Sequence, residues 1–336
     1  MALFLEDGVI TTVVGNYPKI PDLPAPGKWR SAVEKFQKGQ IDEAALRRVE
    51  DEVTVEAIRD QIEAGVDLIT DGQIRWEDAQ THFARRLRGF HINGLQRYFD
   101  TNVYFREPVA EGEVGWAEPI TVAEYTFARA HSTKPVKAVV TGPLTLGTLS
   151  RNTFYPTRRE FVLALARALN GELRALAAAG AEVIQVDEPA LCRHKQDYAV
   201  FADAMGVLTA GVRATLVLAT YFGDLGGVYP QVLSLPFDII GMDFVAGHRN
   251  WDVLSGAPFT KTLMFGILDA RNTRVETPEE IVAAVRRISS TVPPERLQVA
   301  PSAGLEFLPH GVARRKLRAL VEGVRAASEA LKGARA

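Results

Sequence analysis

The feature that most limits what this chain can fold into is a rhythm. Short apolar runs rich in Val, Ile and Leu alternate with amphipathic helical patterns along its length. Eight such runs stand out: TTVVG (11–15), DLITDG (67–72), VKAVVTG (136–142), EVIQVDEP (182–189), ATLVLATYFG (214–223), FDIIGMDFV (237–245), TLMFGILDA (262–270) and RLQVAPSAG (296–304). Near-continuous apolar strands belong to parallel sheets covered on both faces, and strand–helix alternation builds βαβ units. Between the runs, residues 41–65 set Ala45, Val49, Val53, Ala57, Ile58 and Ile62 on one stripe and end at a glycine suited to a C-cap. Residues 157–180 and 277–290 read as helices opened by Thr157 and Thr277. The expected fold is α/β, a single (β/α)8 TIM barrel over residues 1–336, a fold for which ~250 residues is typical. An open doubly wound sheet is the alternative, weakened because no G-x-G-x-x-G follows the first run. Residues 87–119 carry aromatics and turn residues without a helical period, and read as a β-hairpin insertion after the second strand–helix unit. Its expected role is a lid, a surface elaboration or a dimer contact.

Thirty-nine basic residues against forty-one acidic ones give a formal charge of -2, so no overall field draws the chain to nucleic acid or an anionic membrane. Small molecules are the expected partners. No apolar run reaches the roughly 18 to 20 residues that span a bilayer, and the opening MALFLEDGVI lacks a basic n-region. A cytoplasmic location is the expectation. One cysteine makes no internal disulfide and no Cys-x-x-Cys pair.

In a barrel of this kind the chemistry sits at the carboxyl ends of the strands. Polar groups end every run: Asn16 after the first, Asp71 and Gln73 after the second, Thr141 after the third, and Asp187 with Glu188 after the fourth. Thr220, Tyr221 and Asp224 follow the fifth, Asp243 the sixth, Asp269 with Arg271 the seventh, and Ser302 the eighth. An acid buried without a partner costs several kcal/mol. Asp71, Asp187, Asp243 and Asp269 therefore read either as a converging site for a ligand bearing an amine, or as helix caps and partners of Arg75, Arg193 and Arg271.

The series GNYPKIP, AGVDLITDGQIRWED, VTGPLTLG, QVDEPAL, ATYFGDL, GILDARN and VAPSAGL resembles the cobalamin-independent methionine synthase family, within a superfamily that also holds uroporphyrinogen decarboxylase. The resemblance runs over roughly residues 9 to 325 and keeps the family's order of motifs. It implies transfer of a methyl group from a folate, or from a methyl-corrinoid in some single-barrel forms, to a thiol held as thiolate on zinc. It places Val14 and Asn16 at the acceptor's backbone groups and Asp187 at the acceptor's amine. Gln73 falls where the family usually has a glutamate, and Thr141 lies in a turn implied to form part of the folate pocket.

The implied zinc set is His-x-Cys after strand five, Glu after strand six and Cys after strand eight. Here those places read Ala219-Thr220-Tyr221-Phe222, Asp243 and Pro301-Ser302, and the implied histidine after strand seven is absent from Leu268-Asp269-Ala270-Arg271. Zinc is therefore not expected, and no other bound cofactor is predicted beyond the methyl donor. A substitute metal site of Cys192, His194 and Asp243 is the alternative, and His248 or His310 stand as alternative acid–base groups.

The expected function is methyl transfer from a methyltetrahydrofolate-type or methyl-corrinoid donor to a small amino-acid-like acceptor such as homocysteine. Losing zinc demands another route to the nucleophile, since a free thiol has a pKa of ~8.5. Asp187, Asp243 and Asp269 are the catalytic candidates, Asp187 as binder and the other two for protons. Val14, Asn16, Asp71, Gln73, Thr141, Glu188, Tyr221, Arg271 and Ser302 join Asp187 in substrate binding, with Tyr221 and Arg271 facing an anionic ligand. The alternatives are a metal-free decarboxylase or lyase, and a non-catalytic barrel supporting a partner. A corrinoid or other partner protein belongs to these expectations.

Overall fold

The structure is a computed structural model that describes residues 8–19, 27–99 and 104–333. Most of the opening MALFLEDGVI, the last two residues of GNYPKIP, and residues 100–103 of the aromatic stretch lie outside the described residues. The strands are β1 (Ile10–Thr11), β2 (Leu87–Arg97), β3 (Tyr104–Trp116), β4 (Ala138–Thr141), β5 (Arg151–Asn152), β6 (Val183–Asp187), β7 (Thr215–Ala219), β8 (Ile239–Asp243), β9 (Thr262–Leu268) and β10 (Leu297–Pro301). Parallel strands followed by helices make the fold α/β, with the βα repeat of a (β/α)8 barrel. Among the described residues, no helix is long and apolar enough to cross a membrane.

The chain divides into two compact units, one of Met1–Arg75, Phe127–Val136 and Met242–Ala336, the other of Trp76–Thr126 and Lys137–Gly241. The division falls inside β8, so Asp243 belongs to the first unit.

In the first unit β10 lies between β1 and β9, parallel to both, with Gln298 opposite Ile10 on one side and Met264 on the other. The run at 67–72 forms bridges only, Leu68 to Thr12 and Ile69 to Val136. At Thr70 a side chain supplies the backbone's partners. Gln61, fully buried on the helix Glu43–Ala64, accepts from the Thr70 backbone N–H at 3.1 Å and donates to its carbonyl at 3.0 Å. That helix is opened by Asp42, whose side chain accepts from the Ala45 amide, and is closed by Gly65 at a left-handed φ of 89°. The helix Pro278–Ser289 begins at the expected N-cap Thr277, which forms a capping box with Glu280. Within the helix His310–Gly333, Lys316 is fully buried and paired with Glu276 at 2.7 Å.

In the second unit β6 lies between β4 and β7, and β7 pairs on with β8, all parallel. Their residues Val140, Ile184, Val186, Leu218 and Ile240 are wholly buried, each removing about 1.5–3 kcal/mol worth of apolar surface from water. The helix Arg158–Ala178 opens in a capping box of Thr157 and Glu160. β2 and β3 pair antiparallel, and β3 also pairs with β5. Their base is fixed by Glu172, which is fully buried and accepts from the Trp116 indole at 2.9 Å and from the Ile120 and Thr121 amides at 2.7 Å each.

Candidate active site

The strands end earlier than the apolar runs suggest. β7 stops at Ala219 and β10 at Pro301, and the polar residues beyond them turn into loops. Those loops carry the candidate groups.

In the second unit, alternation along β4 and β6 places Lys137, Val139 and Thr141 on one face and Gln185 and Asp187 on the matching one, with Val139 opposite Gln185 and Thr141 opposite Asp187. Asp187 is 7% exposed. One of its oxygens accepts from Gln185 Nε2 at 2.7 Å, and the other from the Tyr221 hydroxyl at 3.2 Å. Burial pushes its carboxyl up to about 7, while Gln185, the Lys137 ammonium and Tyr221 pull the other way. Lys137 is itself fully buried, and burial lowers it to about 7 against the opposing pull of Asp187. Such a carboxylate is set to gain a cation, because a charged partner lowers the cost that burial imposes. Lys137 and Gln185 lie outside the candidates at the strand ends. The signal was present: a lysine inside VKAVVTG, and a glutamine two residues before Asp187 on the same strand face.

Glu188 does a different task from the ligand contact expected of it. It is fully buried and accepts from the Leu144 amide at 2.8 Å, the Thr145 amide at 2.8 Å and the Thr145 hydroxyl at 2.6 Å. It anchors the first turn of the helix Pro143–Thr148. A Cβ on Gly142 would collide with the Glu188 carboxylate, so glycine is required in that turn. Thr141 donates its hydroxyl hydrogen to the Ala79 carbonyl at 3.1 Å. Cys192 is buried with its Cβ against Gly223, and burial lowers the pKa of His194.

In the first unit, Tyr17 donates its amide to the Gly72 carbonyl at 2.8 Å, and Leu305 donates to the Asn16 carbonyl at 2.8 Å, which ties the loop after β1 to those after 67–72 and β10. Asp71 accepts from the Gln73 amide at 3.0 Å. Gln73 is 1% exposed, holds a φ of 51°, and neither atom of its side-chain amide has a hydrogen-bond partner. Its amide lies against Gly15, where a Cβ would come within 2.8 Å. A buried amide left unpaired costs about 1–3 kcal/mol, so this one is built to meet something. Val14 is buried beside it in sequence.

The other acids hold their own loops. Asp243, 1% exposed, accepts from the amides of Val245 at 2.8 Å and Ala246 at 2.9 Å. Asp269 accepts from the amide of the exposed Arg271 at 2.9 Å, and its own amide donates to Glu276, the partner of Lys316. The Ser302 hydroxyl accepts from the Ala270 amide at 3.3 Å. His310 is drawn to Asp60 at 2.7 Å, an acid that also accepts from the Tyr17 hydroxyl at 3.2 Å, while His248 is exposed.

Fold and side chains together define an α/β enzyme of the (β/α)8 class with polar groups at the carboxyl ends of its strands. The family described as cobalamin-independent synthase, catalytic domain, matches residues 9–327, and the chain belongs to that family of methyltransferases, which act on small molecules. The methionine synthase of Saccharolobus solfataricus is 34% identical over 325 residues, 96% of this chain and 96% of that protein. That of Sulfurisphaera tokodaii is 32% identical over 331 residues, 96% of this chain and 93% of that one. The solved structure of a B12-independent methionine synthase from Shewanella sp. W3-18-1, in complex with selenomethionine, shares the fold at a TM-score of 0.85 and 22% identity, covering 97% of this chain and 99% of that one.

The zinc implied by the family resemblance does not fit the side chains at its implied places. The Thr220 hydroxyl donates to the Gly241 carbonyl at 2.6 Å, Tyr221 donates to Asp187, and Ser302 and Asp243 accept from backbone amides. None supplies a thiolate or an imidazole. Among the described residues, no group of three or more His, Cys, Asp or Glu is placed to hold a metal ion.

Proposed function

We propose that this methyltransferase moves a methyl group from a methyltetrahydrofolate-type or methyl-corrinoid donor to a small amino-acid acceptor such as homocysteine, in the cytoplasm and without zinc. Asp187 receives the acceptor's ammonium. The observation that carries this reading is the Asp187 carboxylate, buried and hydrogen-bonded to Gln185 and Tyr221 at the end of β6. The selenomethionine held by the Shewanella relative supports an amino-acid ligand of this type. Gln73, with its unpaired amide, contacts the ligand together with Val14, Asn16 and Asp71. Thr141, Tyr221, Arg271 and Ser302 complete the set of contacts.

In the transfer, the acceptor sulfur forms a bond to the methyl carbon as the donor's bond to that carbon breaks. The electron pair of the broken bond stays on the donor, whose nitrogen takes up a proton if it is a folate and whose cobalt retains the pair if it is a corrinoid. The thiol proton passes to a carboxylate, and Asp243 and Asp269 are the groups assigned to it. In this reading residues 1–336 act as one domain and residues 87–119 are an insertion within it. A corrinoid protein is the partner if the donor is a methyl-corrinoid.

Calorimetry with homocysteine, methionine and methyltetrahydrofolate tests the assignment. Heat with an amino acid supports it, and the donor that produces methionine from homocysteine identifies the second substrate. No binding by any of the three overturns it. Stoichiometric zinc in the purified protein would contradict the metal-free part alone.

A further inference from the structure

Among the described residues, Gln73, Phe99 and Phe222 are the ones other than glycine with a positive φ, at 51°, 49° and 65°. Such a backbone is unfavourable for a bulky side chain and persists only where its surroundings over-determine it. Phe99 and Phe222 belong to the second unit, and one ring links them. Tyr98, just past β2, packs edge-on against Phe99 at 4.8 Å, Phe105 at 6.3 Å and Phe222 at 6.3 Å between centroids. Phe222 in turn meets Tyr221 at 4.9 Å and an interplanar angle of 89°. Tyr221 is the residue whose hydroxyl reaches Asp187.

Edge-to-face contacts thus run from the end of β2 through Phe222 to Tyr221, and the Tyr221 hydroxyl carries the series on to the buried carboxylate by a hydrogen bond. The other end of the β2–β3 pair is held firmly. Trp116 donates to Glu172, the Val114 amide donates to the Tyr155 hydroxyl at 2.8 Å, and Gly171 lies against the Trp116 ring. Tyr98 is therefore carried on strands with a fixed base. Its ring packs against Phe222, whose backbone holds a φ of 65° and shares a peptide with Tyr221.

We propose that Tyr98 is a positioning residue for the Asp187 site, holding Tyr221 through Phe222 in the geometry that completes the carboxylate's reception of an amino acid. The β2–β3 pair then takes part in choosing the ligand through the ring of Tyr98. This inference rests on the reading of Asp187 given above.

The test is calorimetric titration of methionine and homocysteine into the full chain and into Tyr98→Ala, Tyr98→Phe, Tyr221→Phe and the Tyr98→Ala/Tyr221→Phe pair, with melting curves to show that each is folded. Tyr98→Ala is expected to weaken binding about fivefold, the worth of an aromatic pair. Tyr98→Phe, which keeps the ring, restores it to within about twofold. The double variant binds no more weakly than Tyr221→Phe alone, because the two changes act along one series of contacts. Additive losses, or an equal loss in Tyr98→Phe, overturn the proposal. If Tyr98→Ala melts below the assay temperature, Tyr98→Leu replaces it with the same expected loss. Asp187→Asn separates the two levels. Wild-type affinity in Asp187→Asn, or no binding by the wild type, sinks the reading of Asp187, whereas a loss there with none in Tyr98→Ala sinks the role of Tyr98 alone.

Discussion

Tyr221 reaches from the loop after β7 to donate its hydroxyl hydrogen to Asp187 at 3.2 Å, across neighbouring strands on which Asp187 stands opposite Ala219. The bond favours the ionised carboxylate against a burial that pushes it up to about 7. Removing it in Tyr221→Phe raises that value further. An ammonium ligand needs the ionised form, so the pH at which amino-acid affinity reaches half its maximum is expected to move upward. Affinity measured from pH 6 to 9 checks this, and an unmoved midpoint speaks against the bond's role.

Lys137, fully buried just before β4, acts in the same direction. Its ammonium lowers the Asp187 value, so Lys137→Met is expected to raise the midpoint of ligand binding and weaken affinity at pH 7, with recovery in more alkaline buffer. The substitution also has a stability signature. Burial lowers the folded value of Lys137 from 10.5 to about 7, so the unfolded chain binds the extra proton between those limits, and this group's contribution to stability rises with pH across that window. Urea unfolding at pH 7 and pH 9.5 should show less of that rise in Lys137→Met than in the wild type.

Much of this was legible from the residue pattern, and what escaped did so for identifiable reasons. The N-caps at Thr157 and Thr277 and the C-cap at Gly65 appear as expected, because they depend on neighbours in sequence. The run at 67–72 forms bridges only, and Gln61, from the preceding helix, satisfies the Thr70 backbone, a contact that no periodicity reveals. Acids after apolar runs were legible as important, but not how each is used. Asp187 keeps side-chain partners suited to a ligand, Glu188 turns inward to anchor a helix, and Asp243 and Asp269 each bind amides of their own loops. The difference lies in which backbone amides come within reach, a property of the turn and not of the residue type.

Glu188 should behave as a structural acid. Glu188→Ala leaves two amides and a hydroxyl without their acceptor and is expected to cost about 3 kcal/mol in urea unfolding. Burial raises its folded value from 4.5 to about 7, so the unfolded chain loses its proton first as pH rises, and the group's contribution to stability falls from about pH 4.5 to pH 7. Glu188→Gln, which does not ionise, should flatten that part of the profile.

Gln73 should behave in the opposite way. Its side-chain amide has no internal partner to lose. Gln73→Met, close in shape, is expected to leave the melting temperature unchanged or raised while lowering affinity for the amino-acid ligand by about tenfold. Thermal melts beside calorimetry separate the two effects, and a fall in stability without a change in affinity would assign Gln73 to the core.

The most direct measurement is the dissociation constant of methionine for Asp187→Asn beside the wild type at pH 8, where the carboxylate is ionised. Loss of the charge that receives the ammonium predicts a weakening of about thirtyfold or more, equivalent to at least about 2 kcal/mol, in a protein that still melts as a folded chain. An affinity equal to that of the wild type would contradict the assignment of Asp187 as the acceptor's anchor.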